Sequence, residues 1–137
     1  MKIIKIDHVA IATHNPSGFQ ELFEKLMGIP FDGVETVPNE GVNTFFYPVA
    51  DTSIEVLEPL NADAGLVKFL QKRGAGLHHI AMLVEGLDDM VARLKQSGVQ
   101  FTSETPTKGA HGKRIIFIHP KSAGGVLIEL SEQQTDS

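Results

Sequence analysis

The chain contains no cysteine, no tryptophan and a single tyrosine. Without cysteine, neither a disulfide framework nor a thiolate metal site can form. No apolar run approaches the roughly 20 residues of a membrane span. The start, Met1-Lys2-Ile3-Ile4-Lys5-Ile6, runs straight into an alternating segment and does not resemble a signal peptide. The expected setting is therefore the cytoplasm, with no membrane partner. Positive charge is also scarce: 12 Lys and Arg stand against 17 Asp and Glu, a net charge of −5. There is no long basic stripe, which argues against nucleic acid as the main partner. An anionic small molecule stays open, because a few local cations suffice for that.

What the chain does contain is itself, twice. Ile6-Asp7-His8-Val9-Ala10-Ile11 is echoed by Leu77-His78-His79-Ile80-Ala81-Met82, and Ser53-Ile54-Glu55-Val56-Leu57-Glu58 by Leu127-Ile128-Glu129-Leu130-Ser131-Glu132. The histidines lie 71 residues apart and the glutamates 74. At 137 residues this is one domain's worth of chain, or two small modules sharing a core.

The two halves also share an order of elements. Alternation predicts a strand over about 3–12. Asn15-Pro16-Ser17 then opens a helix over about 17–27, with Phe19, Leu22, Phe23 and Leu26 at helical spacing and Gly28 at its end. Strands are expected near 31–37, 42–49 and 53–58. Residues 59–75 form a linker with a short helix over 64–72. The second module repeats the order: a strand at 77–84, a helix at 87–97 stopped by Gly98, and strands at 99–104, 113–118 and 125–131. Module 1 thus covers about 3–58 and module 2 about 76–132, within a single domain. The polar tail from Glu132 to Ser137 is expected to fray.

A lone histidine in an apolar strand is more often a buried residue bonded to backbone than a ligand. Repetition at the same phase of equivalent strands shifts that balance for His8 and His79. Glu55 and Glu129 add two carboxylates in matching strands, alternating with apolar neighbours. A carboxylate on a closed sheet face is costly unless paired or bound to a cation. His8, Glu55, His79 and Glu129 together suit a borderline divalent ion with positions left open for substrate. The alternative is that both glutamates face water. His78 points away from His79, His14 is expected at the surface, and Lys113, Arg114 and Lys121 beside His111 and His119 suggest an anion-facing loop.

These residues resemble the vicinal oxygen chelate superfamily, which includes glyoxalase I, extradiol dioxygenases and bleomycin-resistance proteins. The matches are Ile6 to Ala12, Ile54-Glu55-Val56-Leu57-Glu58-Pro59-Leu60, Gly76-Leu77-His78-His79-Ile80-Ala81, Gly109-Ala110-His111-Gly112, and His119-Pro120-Lys121 with Gly124 to Leu130. Within the superfamily, the chain is most similar to the methylmalonyl-CoA epimerases, over about 3–132. The resemblance implies an α+β fold, with two tandem βαβββ modules forming a cupped, open eight-stranded mixed sheet or barrel. It implies a homodimer and a divalent cofactor, Co²⁺ or Mn²⁺ first and Zn²⁺ or Ni²⁺ next. The implied substrate is an acyl-CoA: the (2R) and (2S) forms of methylmalonyl-CoA would interconvert by loss and return of the Cα proton through a metal-stabilised enolate. The CoA phosphates would then be met by Lys113, Arg114 and Lys121, assigned by charge and position. Pairing of the first strands edge to edge is the expected dimer mode.

One departure matters. Bacterial members often carry a glutamate, considered a base, just after the Glu-Gly-Val turn; here Thr44 stands there, while Glu55 stands where they often carry glutamine. Glu55 and Glu129 are therefore the expected proton-transfer residues, and Glu40 is a weaker candidate in a turn. A complete His-Glu-His-Glu set also fits a glyoxalase I-type lyase acting on a glutathione hemithioacetal. A non-catalytic small-molecule binder is the third possibility.

Overall fold

The computed structural model describes residues 1–134. Its elements are β1 (Lys2–Ala12), α1 (Pro16–Gln20), β2 (Val34–Val37), β3 (Val42–Val49), β4 (Thr52–Pro59), α2 (Gly65–Arg73), β5 (Gly76–Glu85), α3 (Leu87–Gln96), β6 (Thr107–Lys108), β7 (Arg114–Ile118) and β8 (Ile128–Glu132). The strands form an eight-stranded mixed sheet in the order β2-β3-β4-β1-β5-β8-β7-β6. The fold is thus α+β, as the resemblance implied. The duplication is visible in the pairing: β1 runs parallel to β4 and β5 parallel to β8, whereas β3/β4 and β7/β8 are antiparallel. Among the described residues, no helix is long and apolar enough to cross a membrane. By contacts the chain divides into two units, residues 8–78 and residues 1–7 with 79–137.

In the unit of residues 8–78, both sheet faces are buried. One face packs Tyr47 and Val56 against Phe23, with Ile11, Phe19, Ile29, Phe31, Phe45 and Ile54 around them. The helix that covers it begins as expected: the Asn15 side chain accepts from Gly18 N, and Pro16 occupies the first turn. It then widens into a π-helical turn over Glu21–Leu26, with Met27 N donating to Leu22 O. The helical face of Phe19 and Phe23 is preserved, the rings lying 5.5 Å apart.

β2 is shorter than the expected 31–37. Asp32 N donates to Phe46 O, while Phe46 N donates to Gly33 O. Two residues thus oppose one, and the ladder starts after this bulge. Gly33, at φ 94°, supplies the left-handed backbone that the bulge requires.

In the other unit, Leu87 and Val91 of α3 pack on Val84, Ile116 and Leu130. Burial of such a side chain stabilises by about 1.5–3 kcal/mol. The helix start is capped from a distance: the backbone N–H groups of Gly86 and Leu87 donate to Glu132 Oε2 at 2.9 and 3.0 Å. Gly86 reaches this geometry at φ 78°, with Met1 so close that a Cβ would lie 3.0 Å from it.

Three expectations need correction. Residues 99–104 do not form a strand; Phe101 makes an isolated bridge to Ile118, and β6 sits instead at Thr107–Lys108. Gln100 N is taken by Ser122 Oγ rather than by a strand partner, so the pairing with β7 does not extend into a regular ladder. β1 is not an edge strand, because it lies between β4 and β5. Over His8–Ala12 one side of β1 is taken by β4, so the expected edge is not open there. Glu132 belongs to β8 and caps α3 rather than opening a frayed tail, of which residues 135–137 lie outside the described residues.

Candidate metal and acid–base site

Register decides which side chains share a face. In residues 8–78, Ala10 and Phe46 both lie opposite Glu55, and His8 lies two residues before Ala10. His8, Ala10, Glu55 and Phe46 therefore share the face turned away from α1. The small Ala10 leaves His8 room to meet Glu55, and Nδ1 of His8 lies 3.1 Å from Oε2 of Glu55. The second unit repeats the arrangement residue for residue. Ala81 and Phe117 lie opposite Glu129, and Nε2 of His79 lies 3.3 Å from Oε1 of Glu129. The His79 ring stands edge-on to Phe117 at 5.2 Å, which fixes its orientation.

All four residues are buried: His8 is 6% exposed, Glu55 7%, His79 5% and Glu129 3%. That burial excludes the reading in which the glutamates simply face water. Each unit thus presents one imidazole and one carboxylate in contact, a donor pair that favours a divalent cation of intermediate softness.

The other residues singled out from sequence fall elsewhere. His78 faces away from His79 and stacks edge-on against Phe69 of α2 at 4.8 Å. His14 is exposed, and Glu40 lies in the turn before β3. Lys113 Nζ makes a largely buried ion pair with Asp7 Oδ1 at 2.7 Å. Arg114 binds Asp88 Oδ1 at 2.7 Å and Glu132 Oε1 at 3.1 Å. The Arg114 guanidinium holds the Asp88 carboxyl below the usual carboxylate range. Lys121 is exposed in a 3₁₀ turn whose backbone N–H donates to His119 Nδ1 at 3.1 Å. His111 adopts φ 58°, and with Gly112 forms the left-handed turn, closed by Lys113 N to Ala110 O, that joins β6 to β7.

Sequence reading missed the partners that frame each glutamate, Ala10 with Phe46 and Ala81 with Phe117. The signal existed in the repeat, since each histidine is followed two positions later by alanine.

Known proteins resemble the chain over nearly its whole length. Residues 7–117 match the Glyoxalase/Bleomycin resistance protein/Dioxygenase superfamily. The mitochondrial methylmalonyl-CoA epimerase of Mus musculus is 35% identical over 132 residues, which cover 96% of this chain and 74% of that protein. The crystal structure of methylmalonyl-CoA epimerase from Mycobacterium tuberculosis superposes with a TM-score of 0.91 at 36% identity, covering 97% of this chain and 90% of that one. A Streptomyces coelicolor methylmalonyl-CoA epimerase variant in complex with 2-nitronate-propionyl-CoA matches with a TM-score of 0.90 at 31% identity, over 98% of this chain and 100% of that one. The chain belongs to the Glyoxalase/Bleomycin resistance protein/Dioxygenase superfamily, as a homologue of its methylmalonyl-CoA epimerases.

Proposed function

We propose that the chain is an isomerase that interconverts the (2R) and (2S) forms of methylmalonyl-CoA. The observation that carries this reading is the pair of buried His–Glu contacts at matching positions, one in each unit. Similarity over nearly the whole chain to epimerases of that name supports the substrate.

His8, Glu55, His79 and Glu129 would hold one divalent ion, with Co²⁺ or Mn²⁺ the first choices. The donor set fits such an ion: two imidazoles and two carboxylates are withdrawn from water, and a buried carboxylate is costly without a positive partner. Such an ion supplies Lewis-acid stabilisation of negative charge developing on the thioester oxygen. The residues do the rest. Removal of the Cα proton needs a base on one side, and its return needs an acid on the other. The repeat offers one carboxylate from each unit, Glu55 and Glu129, and we assign them these two roles.

Among the basic residues, Lys121 is the one we assign to the CoA phosphates first. Lys113 and Arg114 share that role to the extent that they exchange Asp7, Asp88 and Glu132 for phosphate oxygens. We further propose a homodimer, supported by Ile3, Ile4 and Ile6, which are about half exposed on β1. A cytoplasmic setting completes the proposal.

The test is NMR of methylmalonyl-CoA in D₂O with metal-loaded protein, beside a chelator-treated control. Epimer composition is read in parallel with an enzyme that accepts one epimer alone. Metal-dependent loss of the α-proton signal with appearance of the other epimer is expected. Glu55→Gln and Glu129→Gln are each expected to slow it by about 10²-fold or more. No exchange by folded, metal-bound protein would overturn the reading, and the hemithioacetal of glutathione and methylglyoxal becomes the next substrate. Full exchange in Glu55→Gln would remove Glu55 from its assigned role.

A further inference from the structure

Phe117 stands beside the His79–Glu129 pair, and the backbone fixes its place there. It lies directly opposite Glu129 in the β7/β8 ladder, and on its other side its carbonyl accepts from Thr102 N at 2.9 Å. Ile116 and Ile118, its neighbours in β7, belong to the apolar core under α3. Alternation therefore turns Phe117 to the opposite face, that of His79 and Glu129. The ring contact gives the same direction: its centroid lies 5.2 Å from that of His79, with the planes at 88°. Directly opposed residues have Cβ atoms about 5 Å apart, so the phenyl ring also flanks the Glu129 carboxylate. All of these residues lie within one unit, residues 1–7 with 79–137.

Glu129 has two flanks across the ladder. Ala81 forms one and is fully covered, at 0% exposure. Phe117 forms the other and is only half-buried. The contact with His79 takes up part of the ring, and the rest stays open to a ligand. A molecule brought to Glu129 therefore meets aromatic surface on that side. Phe46, the residue opposite Glu55, is 4% exposed and offers almost none.

The Cα of methylmalonyl-CoA carries a hydrogen, a carboxylate, a thioester carbonyl and an alkyl group. Only the alkyl group is apolar. It is attached to the carbon that exchanges its proton with Glu129, so it lies within van der Waals reach of whatever flanks that carboxylate. Loss of the proton makes Cα planar, with the alkyl group in the plane. Both epimers converge on this one planar species, so a single wall serves both directions. We propose that Phe117 is the wall against which the α-alkyl group rests, and that its ring sets how large an alkyl group is accepted. The inference rests on the epimerase reading and on Glu129 as one of its proton-transfer groups.

The experiment compares kcat/KM for epimerisation of methyl-, ethyl- and propylmalonyl-CoA, and the readout is the propyl-to-methyl ratio. The unaltered protein is expected to favour methyl. Phe117→Ala is expected to raise the ratio by about tenfold or more, the scale of one methylene in an apolar pocket. Phe117→Leu keeps most of the volume and is expected to raise it less; it decides the matter if Phe117→Ala is not folded by circular dichroism. Binding is read in parallel with propionyl-, butyryl- and valeryl-CoA, which carry the same three alkyl groups at Cα, and their relative affinities are expected to shift in the same order. Phe101→Leu removes a ring from the neighbouring segment, on the side packed with α3, and is expected to leave the ratio where it was. If Phe117 only props His79, its variants slow all three substrates alike. An unchanged ratio of that kind overturns the proposal while leaving the epimerase reading intact. Absence of any epimerisation by the unaltered protein overturns both.

Discussion

The hydroxyl of Tyr47 is buried with no hydrogen-bond partner among the described residues. Its ring is well used, packing on Phe23 at 5.3 Å and Phe31 at 5.4 Å. An unsatisfied buried hydroxyl is a cost, so Tyr47→Phe is expected to raise stability by about 1 kcal/mol, read by urea denaturation. Burial, and next the nearby Glu24 carboxylate, push the Tyr47 phenol above its ordinary value of 10.0. The folded state therefore holds this proton more tightly than the unfolded chain does. The associated stability is complete below pH 10.0 and is lost as pH rises through the folded value. Alkaline melts of the native protein and Tyr47→Phe should diverge in that range; parallel curves would contradict the assignment. At this scale the His–Glu set was legible, because repetition at fixed phase marks a residue whatever its partner. The cations were not. Lys113 finds Asp7, 106 residues away, and Arg114 divides itself between Asp88 and Glu132. Local charge density around residues 111–121 suggested a free anion site because nothing local records those partners.

Among the elements, α3 shows most clearly how a strand can finish a helix. Its N-terminal amides are satisfied by Glu132, which arrives from the end of β8 and holds Arg114 with its other oxygen. Glu132→Ala is expected to cost about 1–2 kcal/mol in chemical denaturation. Lys25→Ala, which removes an exposed pair with Glu21 one helical turn away, is expected to cost well under 1 kcal/mol. Equal effects would refute the capping role. Helix and strand positions were readable from periodicity through most of the chain. The failures came where backbone hydrogen bonds depart from the regular pattern: the bulge at Gly33, the π turn at Glu21–Leu26 and the segment 99–104. In each, the side-chain pattern looks regular. At Gly33 and in 99–104 the deviation is set by distant groups, Phe46 O and Ser122 Oγ.

For the whole molecule, the His–Glu contacts at 3.1 and 3.3 Å mean that each carboxylate has a partner even without an ion. The metal-free protein is therefore expected to stay folded but less stable. With free ion at a hundred times its dissociation constant, binding to the folded state alone adds about 2.7 kcal/mol. Calorimetric melts with and without chelator should separate accordingly, and coincident melts would argue against a metal at these donors. The fold class was legible because a duplicated order of elements implies a duplicated sheet. The position of the first strand was misjudged because an apolar strand looks like an edge until its ladder partners are known.

The division of the chain into its two units does not follow the order of synthesis. Residues 1–7 belong with 79–137, and the segment between them forms the other unit. A chain emerging from the ribosome can assemble residues 8–78 as soon as α2 is out. Met1–Asp7 must wait until β5 to β8 have been made, and Ile3, Ile4 and Ile6 stay about half exposed even then. This segment thus stays undocked while residues 8–78 are being made. Its final docking is the step at which chaperones or premature aggregation have their opportunity.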